Sequence, residues 1–473
     1  MTMQSNSEFK PAEDFPVQIP LARPAVLSVS DYRSKRVTWI ATICLIPIFL
    51  FALFIGFICY REAMAYRELN DKLEAIRQVG EPIDDASMAA HFEKTTHKEG
   101  TVAWSEAIML AGSANAISNG LPFVGDESLP RDFRPGVEWP EEPRVAEFLR
   151  EIRPLFKKID DADAFPKPVW APVDFNGFST TLEVYQETRS LARILNLDAS
   201  HALFHREGER ALKDIRSLQS VSKAFDVELV LVTKLITIAI QHLHKDSITR
   251  SLSMDVWRDE QLAELMDQVR KPYDVAKAWK SSIIGERAMA NTTVNDSISL
   301  AGAMGDYNNP LYRLPILPSG KLALLRSYDV VLDISSASAN ELVDRATVAE
   351  KQVMGLASTD YLVGLFFPAL AAYAEAFDRD EVLRRLTMTS LAVKRFQLKN
   401  NRFPKNLPEL TDVGLSERDW TTTHRQAFGY EVDNEIAYVW TYGTQDKKAI
   451  PTSRPILTPE MTPDFLWNVV SIR

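Results

Sequence analysis

Candidate chemistry begins with the histidines. His201-Ala-Leu-Phe-His205 sets two imidazoles four residues apart, on one face of a helix, and Glu209 follows one turn later. That is the spacing a helical metal site needs. Gly208 falls inside that turn, no Glu directly follows His201, and no distant ligand can be named, so the pair reads as an exposed polar face. His242 and His244 are two apart and point to different helical faces. Ser220-Val-Ser-Lys223 matches a Ser-x-x-Lys nucleophile pattern but lacks the Ser/Tyr and Lys-Thr-Gly elements that accompany it. Asp160, Asp161 and Asp163 form an acidic cluster of the kind expected in a solvated loop. Glu286 and Arg287 are adjacent in a helical stretch after Gly285. They cannot face each other, so each must bond elsewhere, as in a structural clamp between layers. Asn291-Thr-Thr293 and Asn295-Asp-Ser297 are formal glycosylation sequons that matter only in a secretory eukaryotic setting.

Gly-x-Ser-x-Gly, His-Glu-x-x-His, a phosphate loop and Gly-x-Gly-x-x-Gly are all absent. No catalytic, cofactor-binding or metal residue is therefore assigned, and no cofactor is expected. Paired carboxylates from distant segments remain possible chemistry, because they leave no local trace.

The elements that would position these residues follow from composition and periodicity. The 473 residues carry 54 Lys and Arg against 64 Asp and Glu, a net charge of −10, which argues against nucleic acid as a partner. Both cysteines, Cys44 and Cys59, lie in one apolar run, so the rest of the chain can hold neither a disulfide nor a thiolate metal site. Residues 37–60 contain no charge, a length that spans about 36 Å of helix against a hydrocarbon core of about 30 Å. This run is read as a transmembrane helix and the chain's contact with a membrane. Arg33, Lys35 and Arg36 crowd its N-terminal flank, which places the N-terminus in the cytoplasm and the ectodomain outside it. Ala63-Met64-Ala65 resembles a signal-peptide cleavage site, but the apolar core is too long for one.

Residues 1–36 are expected to be a disordered cytoplasmic tail, and 61–118 a stalk with the first helices, where Tyr66, Leu69, Leu73 and Ile76 follow a 3-4-3 spacing as far as Gly80. Residues 119–180 read as a Pro-rich connection with a short helix, and 181–400 as an irregular, solenoid-like helical domain. Val184, Leu191 and Leu195 mark one amphipathic helix of that domain; Phe204, Ala211, Ile215 and Leu218 mark the next, and the apolar run from Leu229 to Ile240 reads as a buried central helix. Further helices are expected at about 258–270, 273–292, 319–334, 339–355, 359–377 (capped by Ser358 or Thr359) and 380–400. Residues 401–473 read as a small α/β element and tail, with a hairpin turning at Asp433-Asn434. The fold class is thus mainly α: one transmembrane helix, a multi-helix ectodomain and a small C-terminal β-hairpin element.

Several segments resemble a family of large single-span proteins of planctomycete-type bacteria, over most of residues 61–443. They are Leu73-Glu-Ala-Ile-Arg-Gln-Val-Gly-Glu-Pro82, Ala103-Trp-Ser-Glu-Ala107, Leu191-Ala-Arg-Ile-Leu195, Gly285-Glu-Arg-Ala288, Thr359-Asp-Tyr-Leu362 and Ala392-Val-Lys-Arg-Phe396. The stretch Asn401-Arg-Phe-Pro-Lys-Asn-Leu-Pro-Glu-Leu410 also looks like the C-terminal part of type II secretion pseudopilins. It departs from them in carrying Asn401-Arg402 where relatives usually have a Gly before the aromatic-Pro pair, and in lacking a Gly-Phe-x-x-x-Glu peptidase site before the membrane run. The resemblance implies a bacterial envelope location and transfers no activity. The expected function is a membrane-anchored envelope protein acting as a non-enzymatic helical scaffold that binds a protein partner through its ectodomain. The alternatives are an anchored hydrolase with a dispersed site and a secretion-apparatus component.

Overall fold

The structure is a computed structural model describing residues 29–114, 117–130, 132–169, 173–226, 229–305, 316–357, 361–367, 369–441, 450, 454 and 468–473. The chain divides into two compact units, Met1–Glu62 and Ala63–Arg473. The first unit carries most of α1 (Val29–Gln78), so the last eight residues of the expected tail are helical; residues 1–28 lie outside the described part. Leu45, Phe49, Phe54 and Tyr60 are all exposed on α1, and this helix is long and apolar enough to cross a membrane. Pro47 sits within it, as membrane helices tolerate.

The second unit is helical with one small sheet, and proline and capping chemistry set its helix starts. In α2 (Asp85–Thr95), Asp84 and Ser87 form a reciprocal capping box. Pro143, Pro154 and Pro318 occupy first-turn positions of α4 (Glu142–Glu151), α5 (Arg153–Asp163) and α12 (Pro318–Asp333), where the missing N–H costs nothing. Two helices thus stand where one was expected in the Pro-rich connection. The Asp160 cluster lies on α5 rather than in a loop, because Leu155, Ile159 and Ala162 give this segment a buried helical face.

The other helices are α3 (Lys98–Ala114), α6 (Glu183–Phe204), α7 (Gly208–Ala224), α8 (Leu231–Ser251), α9 (Asp259–Arg270), α10 (Val275–Asn295), α11 (Ser297–Ala303), α13 (Ala339–Ala357), α14 (Tyr361–Phe366) and α15 (Leu370–Asn400). The helices expected at 359–377 and 380–400 divide differently. Nothing in Asp378-Arg379 breaks a helix, whereas a proline at 368 disfavours helix for the residue before it, so the break falls between α14 and α15. The expected caps Ser358 and Thr359 lie outside the described residues. Residues 63–78 of α1 pack on this unit by burying Ala65, Leu69 and Ile76, and Glu68 and Lys72 pair with Arg326 and Asp329 of α12.

Two apolar cores share α8 and α15. One is built from α3 to α9 with the later part of α15; the other from α10, α12, α13 and α14 with the start of α15. A solenoid contacts only sequence neighbours, but α15 packs on α8, α9, α13 and the sheet, so the helices form a layered bundle around it. The C-terminal element is an antiparallel sheet of three strands, β1 (Gly429–Asp433), β2 (Ile436–Thr441) and β3 (Asn468–Ile472), in that order. The turn residues are Asn434 and Glu435, both at positive φ, one position beyond the expected turn. The third strand comes from a segment read as a tail. Asn401 ends α15 in the left-handed region (φ 50°), the conformation that a glycine favours.

Glu286 and Arg287 behave as adjacency requires. A Cβ at Gly285 would fall on the Leu229 carbonyl oxygen, so α10 approaches this segment closely enough for Glu286 Oε1 to accept from Leu231 N–H at 3.0 Å. Arg287 donates to Glu81 at 2.8 Å. Asn291 is buried and donates to the Ile83 carbonyl at 2.8 Å, which removes it as a glycan acceptor in the folded chain. On α15, Glu381 is buried between Arg384 (2.7 and 2.9 Å) and Arg385 (2.7 Å). Arg384 also donates to the carbonyls of Val269 and Arg270, and Arg385 to those of Thr421 and Thr422.

Two expectations follow. Glu381→Gln strands two buried guanidinium groups and should lower stability by about 3–5 kcal/mol in chemical denaturation of the detergent-solubilised chain; a loss under about 1 kcal/mol would mean water reaches the cluster. Burial pushes the Glu286 carboxyl up to about 7, although the Leu231 N–H favours its anion. The fold therefore binds more protons than the unfolded chain between roughly pH 4 and 7, and stability falls as pH rises through that window. Glu286→Gln should flatten this dependence and be up to about 3 kcal/mol more stable than the parent at pH 8. Identical pH profiles for the two proteins would refute the assignment.

Candidate functional site: an acid cavity beside a histidine cluster

The break between α6 and α7 arranges the site. His205 caps α6, Arg206 follows in the left-handed region (φ 60°), and Glu207 N–H returns to the Ala202 carbonyl at 2.8 Å while Arg206 N–H returns to Leu203 at 3.1 Å. These two bonds form a Schellman closure with Arg where Gly is usual. The chain therefore turns before Glu209, which sits on α7 and pairs with Arg258 and Gln261 of the α9 start. Glu209 is not a partner of the histidines, contrary to the single-helix spacing.

Glu142, the first residue of α4, takes that place. Its Oε1 lies 3.2 Å from His201 Nε2 and 3.0 Å from His205 Nε2, and the three ligand atoms all lie within 4.8 Å of one another. Burial, with the charges of His205 and Arg210, pushes the His201 imidazole below its usual range, against the pull of Glu142. Burial opposes the Glu142 anion, but hydrogen bonds from His205 and His201 hold its carboxyl below the usual range.

His201 also lines a cavity of about 460 Å³ between α4, α5, α6 and α7, together with Asp160, Asp198, Arg210 and Asp214. Leu149, Phe156, Ile159 and Leu195 supply an apolar wall. Burial raises the Asp214 carboxyl well above its usual range, and the negative charge and hydrogen-bonding oxygen of Asp198 raise it further. Asp198 is held by Arg210, which also bonds Glu207 at 2.9 Å. Burial works against the Arg210 charge, but these acids hold it above its usual range. Asp160 lies at the mouth, paired with Lys213 at 2.7 Å. The result is an acid raised well above the usual carboxylate range beside a second acid bonded by Arg210, an arrangement suited to giving and taking a proton across a bound molecule.

His201 and Asp160, singled out separately in the sequence, are thus brought to one cavity. Asp161 and Asp163 do not line it, and Lys167 bridges Asp163 to Ser220 instead of leaving Ser220 to Lys223. His242 lies 3.2 Å from Asp380 and His244 bonds Gln268 at 3.0 Å, so the two rings do go separate ways. Asp198, Asp214 and Glu142 were missed. A signal existed for the first two: Asp198 is three residues after Leu195 and Asp214 three after Ala211, so both acids sit on the apolar stripe of their helices. Glu142, 59 residues from His201 in a Pro-rich segment, left none.

No protein-family model, no curated protein and no solved structure matches the chain.

Arg206→Gly relieves a non-glycine left-handed residue whose side chain is exposed. It should raise stability by about 1 kcal/mol in urea denaturation. A loss of stability would show that the Arg206 side chain makes its own contribution.

Proposed function

We propose that this chain is a membrane-anchored hydrolase whose site is the α4–α7 cavity, with α1 as the anchor. The observation that carries the reading is the buried Asp198–Asp214 pair, one acid raised well above its usual range by burial and the other held by Arg210, in a cavity with room for a small molecule. Asp214 gives its proton to the leaving group, and Asp198 takes one from the attacking water. The apolar wall and the cationic Arg150 and Arg153 at the rim suit a substrate with an apolar body and an anionic or strongly polar end. The crowding of Arg33, Lys35 and Arg36 before the apolar run supports a cytoplasmic N-terminus, with the hydrolytic domain in the cell envelope. The resemblance to planctomycete-type single-span proteins supports a bacterial envelope setting.

The scaffold reading, in which the ectodomain binds a protein partner, keeps one support. Val102 and Met109 are exposed seven residues apart on α3, with Leu110 beside them. Kinship with a secretion apparatus rests on the order of a long helix, Phe403-Pro404 and an antiparallel sheet.

The detergent-solubilised full chain should hydrolyse members of a panel of ester, amide, glycoside and phosphoester substrates. Asp214→Asn, isosteric with the protonated acid, should keep the fold and lower kcat by about 100-fold or more. Hydrolysis unchanged in both Asp214→Asn and Asp198→Asn, or none by the parent across the panel, would overturn the reading.

A further inference from the structure

The cluster beside the cavity has a geometry that hydrogen bonding alone does not require. Two imidazoles converge through their Nε2 atoms on one oxygen of one carboxylate, from the last turn of α6, its cap and the first residue of α4. A tetrahedral zinc ion with bonds of about 2.0–2.1 Å has ligand atoms about 3.3 Å apart along each edge. The 3.2 and 3.0 Å separations from Glu142 Oε1 are close to two such edges, and the third, between the two Nε2 atoms, is within 4.8 Å. We infer that Glu142, His201 and His205 form a binding site for a divalent first-row metal ion, zinc by its donor set, held by three protein ligands with a fourth position open to water.

The surroundings fix the ligands as a metal site needs. Trp139 is buried with its ring centroid 6.3 Å from that of His201, Phe204 meets His205 edge-on at 5.3 Å, and Phe133 stacks on Phe204 and meets Trp139 edge-on. This aromatic floor limits how far either imidazole can rotate, and it supplies the apolar shell that tunes a metal's bound water. On the opposite side the site opens: the His205 side chain is 40% exposed and that of Glu142 23%, against 10% for His201. Two histidines, one carboxylate and an open position make up a catalytic rather than a structural zinc site. The same set also suits ferrous iron, so the test includes both ions.

His201 borders both the cluster and the acid cavity, so a metal-bound water would be available to a substrate there. This role rests on the hydrolase reading; the binding of the metal does not.

The experiment uses the full chain in detergent, stripped with chelator, dialysed against zinc and analysed for metal content, with calorimetric titration by zinc and, anaerobically, by ferrous iron. The expected result is one equivalent of zinc with a Kd below about 1 µM, tighter than iron, and a thermal midpoint that rises when zinc is added. His205→Ala removes one hydrogen bond to Glu142 from a part-exposed side chain and should lower the metal-free midpoint only slightly. It should weaken zinc binding by about 100-fold and abolish the thermal shift. Glu142→Gln should weaken zinc binding too, and Glu209→Ala should not. A Kd above about 100 µM, equal affinity in His205→Ala, or preference for iron would overturn the zinc assignment. Stoichiometric zinc with no hydrolysis of any substrate would sink the hydrolase reading alone. Full hydrolysis by the stripped protein in chelator would remove the metal from the reaction.

Discussion

Everything else in the helical unit depends on one turn of α15 that buries charge. Glu381 balances two guanidinium groups, and each spends its remaining donors on backbone carbonyls elsewhere: Arg384 on the end of α9, Arg385 on Thr421 and Thr422 before the sheet. The neighbouring Asp380 pairs with Lys245 of α8. Apolar surfaces fix how closely helices pack but tolerate sliding and rotation, whereas a guanidinium fork accepts only one arrangement of acceptors. Three segments far apart in sequence are thereby registered on one helical turn. The cost of leaving any of these buried charges unpaired makes alternative packings unfavourable.

That registration reaches the site through two further pairs. Arg395 of α15 binds Asp259 at the start of α9 at 2.8 Å, and Arg258, one residue before it, takes Glu209 of α7. With α7 tied to α9 at its first turn, the Schellman closure at Arg206 sets the direction in which α6 ends. His205 is left facing α4 rather than continuing toward Glu209. The histidine cluster thus lies at the end of a series of contacts that runs from α15 through α9 to α7.

Much of the fold was legible. The apolar period located α9, α10, α12 and α13 to within a few residues and the starts of α6 and α8, and two β-prone runs located the hairpin. What failed did so for identifiable reasons. The Schellman closure at Arg206 carries no glycine, so residues 201–209 looked like one helix. The boundary expected at Asp378-Arg379 does not form, because nothing there breaks a helix and Asp378 is buried within α15. Strand β3 pairs across a long stretch of sequence, which no local pattern encodes. For the site, spacing found His201 and His205 but chose the wrong carboxylate, because Glu142 reaches them only through tertiary packing. The acid pair was readable in principle as two charges on apolar stripes, a violation of pattern that the fold does not need.

That violation separates the two kinds of buried charge in this molecule. Around Glu381 nearly every donor finds an acceptor, as expected where charge serves registration. On α6, by contrast, His201 Nδ1 and both side-chain heteroatoms of Asn196 are buried with no hydrogen-bond partner among the described residues. Each such group costs about 1–3 kcal/mol, and a chain able to satisfy Arg384 so fully has no folding reason to leave several together on one helix. Of these, His201 lines the cavity, where an unsatisfied ring nitrogen is in position to bind a molecule that enters it.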